Sequence, residues 1–139
     1  MSIGVKNMRK SFRPKITLFH CINAFNKEAS ILNDDNAEIQ LIRMACSSMV
    51  KDIFLLRAFE AGADAVAVLV CPEGQCRYVE GNIRAKKRVK WVKNLLDDIG
   101  LDGRRLSIFN ISAEDKDGAG RILDTILSDL DDLGPNPAA

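Results

Sequence analysis

Apolar positions along the chain follow two periods in turn. The segments "KITLFHCIN" (15–23), "IQLIRMAC" (39–46), "DAVAVLVC" (64–71) and "RLSIFNIS" (105–112) are short, apolar and rich in β-branched residues, as strands are. Between them the period lengthens to that of a helix. "SMVKDIFLLRAFEAG" predicts a helix capped by Ser47 or Ser48 and stopped at Gly62. "NIRAKKRVKWVKNLLDDIG" predicts a long helix whose Ala85, Val89, Val92, Leu96 and Ile99 recur at spacings of four and three, giving one apolar stripe. Asn82 is its expected N-cap, freed by Gly81. "GAGRILDTILSDLDDLG" predicts a last helix with Ile122, Leu123, Ile126, Leu127, Leu130 and Leu133 turned inward. "KEASILNDDNAE" reads as a short helix or loop. Residues 1–14 form a polar, basic arm, residues 15–134 a single α/β domain, and "PNPAA" (135–139) a frayed, flexible tail.

Strands alternate with helical segments, and the third strand is apolar on both faces, as a central parallel strand is. The expected architecture is an open parallel four-stranded sheet with helices on both faces, in the flavodoxin-like order 2-1-3-4. In such a sheet every strand ends at one edge, and that edge is where open α/β sheets bind ligands.

The cysteines follow this architecture. Cys21 lies near the end of the first strand, Cys46 ends the second, Cys71 ends the third, and Cys76 follows in the loop. Twenty-four residues lie between Cys21 and Cys46, and again between Cys46 and Cys71, one strand-to-strand step each. Neighbouring strands are about 4.8 Å apart, so three thiols arrive at one rim. One cysteine at a strand end is simply a small hydrophobe. Four on one edge form a ligand set, for an iron–sulfur cluster or for zinc. Structural zinc usually sits between two CxxC turns. One CxxxxC turn joined by two isolated cysteines suits a cluster better. Gly74 permits the bend that brings Cys71 and Cys76 together, and Tyr78 is placed to shield the site or to pack in the core.

Composition narrows the classes. Hydrophobic residues make up 47% of the 139 and charged residues 28%, with a net charge of +1. Nothing in that balance points to nucleic acid. No apolar run approaches the ~18 residues of a membrane span, and the basic start lacks the apolar core of a signal peptide. A cytoplasmic protein with reduced thiols is expected. Charge is concentrated locally. Arg77, Arg84, Lys86, Lys87 and Arg88 cluster beside the cysteine edge, opposing the dipole of the helix they begin. Such a field would stabilise an anionic thiolate cluster or dock an acidic partner, or it is simply a solvated basic face.

The segment "CPEGQCRYVEGN" followed by "RAKKRV", the strand end "IRMACSSMV", the run "AFEAGADAV" and the first-strand "CINA" occur together and in order. In this the chain resembles the MvhD family, the delta subunits of methyl-viologen-reducing hydrogenase, over residues 15–115. The resemblance implies a [2Fe-2S] cluster held by Cys21, Cys46, Cys71 and Cys76. It further implies transfer of electrons to a heterodisulfide-reductase A-like flavin subunit. The family's first strand carries a second cysteine where this chain has Ala24, which leaves four ligands for one cluster. Pro72 and Arg77 stand where hydrogenase-linked members often carry histidine. The partner oxidoreductase is then of hydrogenase, formate dehydrogenase, methylenetetrahydrofolate reductase or benzoyl-CoA reductase type.

The expected function is therefore a non-catalytic electron-transfer subunit of an anaerobic, electron-bifurcating complex. The alternative is a structural zinc-binding scaffold of such a complex. A thiol enzyme built on Cys71 or Cys76 lacks a base, since His20 is the only histidine and faces away from Cys21 if the first strand is regular. A hydrogen-bonded core histidine is the expected role of His20. A nucleotide site is excluded by the absence of a glycine-rich loop after the first strand.

Overall fold

The computed structural model describes residues 13–21, 37–44, 51–70, 81–111 and 118–137. The chain forms β1 (Lys15–Cys21), β2 (Glu38–Met44), α1 (Asp52–Glu60), β3 (Ala65–Val70), α2 (Gly81–Asp98), a 3-10 turn (Gly103–Arg105), β4 (Leu106–Asn110) and α3 (Gly118–Leu133). The sheet order is β2-β1-β3-β4 and every pairing is parallel, as the alternation of strand and helix predicts. The Ser47 or Ser48 cap lies outside the described residues. The first described residue ahead of α1 is Lys51, which makes no side-chain cap bond.

The central strand explains the layering. On β3, Ala65, Ala67 and Leu69 join Ile16 and Leu18 of β1 beneath Ile122, Leu123, Ile126 and Leu130 of α3. Its alternate residues Val66, Val68 and Val70 pack with Phe19 against Leu55 and Phe59 of α1 and Ala85, Val89, Val92 and Leu96 of α2. All six β3 residues are buried, so the strand reads as a continuous apolar run rather than an alternating one.

Three expectations change. Ile99, the last member of the α2 stripe, is 64% exposed. The helix ends at Asp98 and the chain turns at Gly100 (φ 85°), which carries Ile99 off the buried face. Asn82 lies inside the first turn of α2, which already includes Gly81, rather than ahead of it. Asn136, assigned above to a frayed tail, is buried. Its backbone N–H donates to Asp64 Oδ1 at 2.8 Å, and its side-chain amide donates to the carbonyls of Ala63 (2.7 Å) and Phe59 (3.2 Å). Ala138 and Ala139 lie outside the described residues.

These contacts belong to a polar knot at the amino edge of the sheet. Asp64 Oδ2 accepts from the Lys15 backbone N–H at 2.8 Å, while the Asp64 N–H donates to the Lys15 carbonyl at 2.7 Å. Arg105, 3% exposed, spends all five guanidinium N–H donors on carbonyls. Nε donates to Leu101, Nη1 to Asp64 and Gly134, and Nη2 to Leu133 and Pro135, at 2.8 to 3.1 Å. Three of these acceptors lie at or just past the end of α3, where helix carbonyls have no intrahelical partner and the dipole favours a cation. Burial pulls the guanidinium below the ordinary arginine range, an effect that the nearby Asp64 and Asp102 carboxylates partly oppose. It stays charged at any working pH.

Two glycine-dependent turns set the ends of α1 and α2. Gly62 (φ 105°) closes α1 in a Schellman motif, with Ala63 N–H on the Ala58 carbonyl and Gly62 N–H on the Phe59 carbonyl. This is the helix stop that the sequence marks. Gly103 lies against the last turns of α2, its N–H donating to Asp97 Oδ1 at 2.7 Å. A Cβ there would meet the Lys93 carbonyl oxygen at 2.7 Å and both Asp97 carboxylate oxygens at 3.2 Å. Asp102, beside it, holds φ 78° while its carboxylate accepts from the Arg104 backbone and side chain. Those hydrogen bonds from Arg104 hold its carboxyl down to about 2. A group depressed in this way adds stability above its unfolded value of about 3.8 and loses it as pH falls toward 2. The pair is exposed, so the contribution is small.

Two stability outcomes follow. Arg105→Met lowers the unfolding free energy by about 3 kcal/mol or more in urea denaturation, because several buried carbonyls lose their donors at once. Arg105→Lys recovers only part of this, since an ammonium cannot reproduce the fork. Gly103→Ala destabilises by about 1–3 kcal/mol through the clash with α2. Gly120→Ala, on an α3 position with nothing within 4 Å of the added carbon, instead stabilises by about 0.5–1 kcal/mol in the same assay.

Candidate metal centre at the carboxyl edge

Parallel pairing delivers the strand ends together. Cys21 is the last residue of β1 and is in register with Met44, the last residue of β2. On the other side His20 is in register with Leu69, one residue short of the end of β3 at Val70. Cys46 follows β2 by two residues and Cys71 follows β3 by one. The backbones that lead into three of the four predicted ligands therefore sit on adjacent strands at a single edge. Cys46, Cys71, Cys76 and the side chain of Cys21 lie outside the described residues, as do Pro72, Gly74, Arg77 and Tyr78. Among the described residues, no three His, Cys, Asp or Glu side chains gather as a metal site.

Described residues of β1, β4, α2 and α3 flank that edge. His20 is buried on β1, between Arg43 of β2 and Leu69 of β3. It shares its strand parity with Ile16 and Leu18, which pack beneath α3. At 1% exposure it is a core histidine and not an open ligand or surface base. A cleft of about 310 Å³ opens beside the end of β4, lined by Phe109, Asn110, Ile111, Gly118, Arg121 and Thr125 among others.

The start of α2 lies on the same edge, because α2 runs back to the amino edge, where Gly103 meets its last turns and Leu106 pairs with Val66. Its amino end carries the positive pole of the helix dipole. Arg84 and Lys87 are exposed in the first two turns, and Lys86 and Arg88 are half-buried. The first turn contains no acidic residue. Cationic side chains and the dipole thus act in the same sense at the cysteine edge. That field suits an anionic thiolate centre and opposes a cationic one.

What the sequence reading missed is the far edge. Asp64 and Arg105 have no role in the sequence pattern and Asn136 falls in the expected tail, yet they tie the amino ends of β1 and β3 to the end of α3. The available signal was slight: one arginine at the head of an otherwise apolar strand. A larger cleft of about 650 Å³ between β1, β2 and α1 was likewise not foreseen. It is lined by Thr17, Phe19, Ile42, Phe54 and Ala58 and reaches Lys15, Glu38 and Ala63 at the amino end, away from the cysteines.

Known proteins are similar to this chain over most of its length. The iron–sulfur subunit of the F420-non-reducing hydrogenase vhu from Methanocaldococcus jannaschii is 37% identical over 101 residues, covering 73% of this chain and 75% of its own. Its counterpart in Methanococcus maripaludis is 38% identical over 104 residues, again covering 73% of this chain and 75% of its own. A segment of the A-type subunit of the ferredoxin/F420H2-dependent CoB-CoM heterodisulfide reductase from Methanosarcina acetivorans is 37% identical over 97 residues. That match takes in 70% of this chain but only 12% of the reductase polypeptide. The family described as methyl-viologen-reducing hydrogenase, delta subunit, matches residues 16–134, and the chain belongs to that family.

Proposed function

We propose that the protein is an electron-transfer subunit of an oxidoreductase complex, carrying a [2Fe-2S] cluster on Cys21, Cys46, Cys71 and Cys76. The observation that carries this reading is the register of β1 with both neighbours, which aligns the ends of the three strands that lead into Cys21, Cys46 and Cys71. Chain connectivity supports it. At no more than about 3.6 Å per residue, Cys46 cannot stray beyond about 7 Å from Met44, nor Cys71 beyond one peptide unit from Val70. The donor set is four thiols with no histidine exposed nearby, which fits iron–sulfur chemistry. The names of the hydrogenase relatives, which call them iron–sulfur subunits, favour iron over zinc.

When bound, such a cluster accepts and releases single electrons. The chain itself supplies ligation, a cationic field and a rigid edge. The Arg84 and Lys87 charges and the α2 dipole favour the more negative state of the centre, which raises its reduction potential. No residue is required to move a proton, in keeping with a relay that has no substrate chemistry of its own. The partner proposed on one side is a heterodisulfide-reductase A-like flavoprotein, supported by the occurrence of this module as a segment within two such polypeptides. On the other side we place an oxidoreductase of hydrogenase, formate dehydrogenase, methylenetetrahydrofolate reductase or benzoyl-CoA reductase type, in a bifurcating cytoplasmic assembly. Among the described residues no helix is long and apolar enough to cross a membrane.

Anaerobic purification is expected to give a coloured protein with about two irons and two sulfides per chain and an EPR signal on reduction. A colourless sample holding one equivalent of zinc would replace the relay with a zinc scaffold. Serine in place of each cysteine is expected to lower iron content severalfold while circular dichroism keeps the α/β signature. Full iron retention in any one variant removes that residue from the ligand set.

A further inference from the structure

Six of the ten residues from Arg84 to Lys93 are cationic, namely Arg84, Lys86, Lys87, Arg88, Lys90 and Lys93, and none is acidic. The apolar side of this stretch is already spent, since Ala85, Val89 and Val92 are buried against the sheet and α1. Of the rest, Lys86, Arg88 and Lys93 are half-buried. Arg84, Lys87 and Lys90 are exposed, and Trp91, the protein's single tryptophan, is 53% exposed among them. At 100° per residue, Arg84, Lys87 and Trp91 form one stripe opposite the buried face.

Helix stability does not account for this arrangement. Cations in the first turns oppose the dipole, and the last turn carries Asp97 and Asp98 with no basic residue, which opposes it again. Asp97 has a structural task, receiving the Gly103 N–H. Among the described residues the exposed Lys87, Lys90 and Trp91 show no such task. An exposed tryptophan flanked on its amino-terminal side by Lys87 and Lys90 combines the two features enriched at interface anchors, an aromatic body and neighbouring charge.

We propose that this face of α2 docks an acidic surface of the heterodisulfide-reductase A-like flavoprotein, with an apolar recess for the Trp91 indole. The identity of the occupant rests on the relay reading given above. The position argues for it, because the basic stripe begins within the first turns of α2, on the edge where Cys21 ends β1. Trp91 lies about 15 Å down the helix from its start at that edge, so a partner seated along the stripe reaches from the indole to the cysteine edge. An anionic membrane fits less well. One indole on a helix whose apolar stripe is buried in the core offers little to sink into lipid.

The test uses this chain co-expressed with a heterodisulfide-reductase A-like flavoprotein of the same source and purified anaerobically as the complex. Carbodiimide cross-linking is expected to join Lys87 or Lys90 to aspartate or glutamate of the flavoprotein. Lys87→Glu with Lys90→Glu is expected to weaken the complex about a hundredfold and to bring its dissociation to much lower salt. Trp91→Ala is expected to cost tenfold or more with little change in salt dependence. Circular dichroism and iron content of the variants separate a lost interface from a lost fold or site. Wild-type affinity in the double variant, or cross-links that avoid α2, overturns the proposal. Binding of the wild-type chain to vesicles with 30 mol% (~30%) phosphatidylserine, lost in the same variants while the complex is unaffected, overturns it in favour of a membrane surface. A chain that docks through α2 yet holds no iron refutes the relay and leaves the surface standing.

Discussion

Parallel pairing of β1 with β2 on one side and β3 on the other is the constraint on which the rest depends. Side chains in a strand alternate with period two, and a slip of one residue would turn every one of them over. The two apolar layers prevent that slip. Ile16 and Leu18 must meet α3 while Phe19 meets α1 and α2. Once the register is fixed, the strand ends are fixed too, and with them the points from which Cys46 and Cys71 emerge beside Cys21. The proposed site then needs a loop only for Cys76.

The sheet divides its labour between its edges. The amino edge is held by a buried arginine and a buried aspartate whose partners are almost all backbone groups. Such bonds order the strand starts against the end of α3 without recruiting any exposed group. The carboxyl edge carries the opposite character, with cysteines, cationic side chains and a helix amino terminus. Rigidity at one edge suits chemistry at the other, because electron transfer rewards a centre whose geometry changes little between oxidation states. The cationic side of α2 extends that edge outward and offers a partner both charge and an aromatic anchor.

Much of the fold was legible in the sequence because its signals are local. Apolar runs of five to seven residues alternating with helical stripes imply a parallel sheet, and the continuous burial of β3 follows from having helices on both faces. The even spacing of Cys21, Cys46 and Cys71 carried the candidate site, since one strand-to-strand step returns the chain to the same edge. That the strands leading to Cys21, Cys46 and Cys71 end at one edge could be read from spacing and topology alone, whereas the placement of the thiols themselves depends on their mutual geometry.

Sequence periodicity therefore determined the element order, the sheet topology, the two apolar layers and the edge to which the cysteine-bearing strands run. Only the tertiary structure decided the amino-edge knot, the docking of Asn136 and the outward turn of Ile99. The physical reason is range. A helix stripe or a strand run is written in residues three or four apart, but Arg105 finds its acceptors at Asp64, Leu133, Gly134 and Pro135. Those contacts exist only after β3, β4 and α3 have come together, and no periodic pattern marks them beforehand.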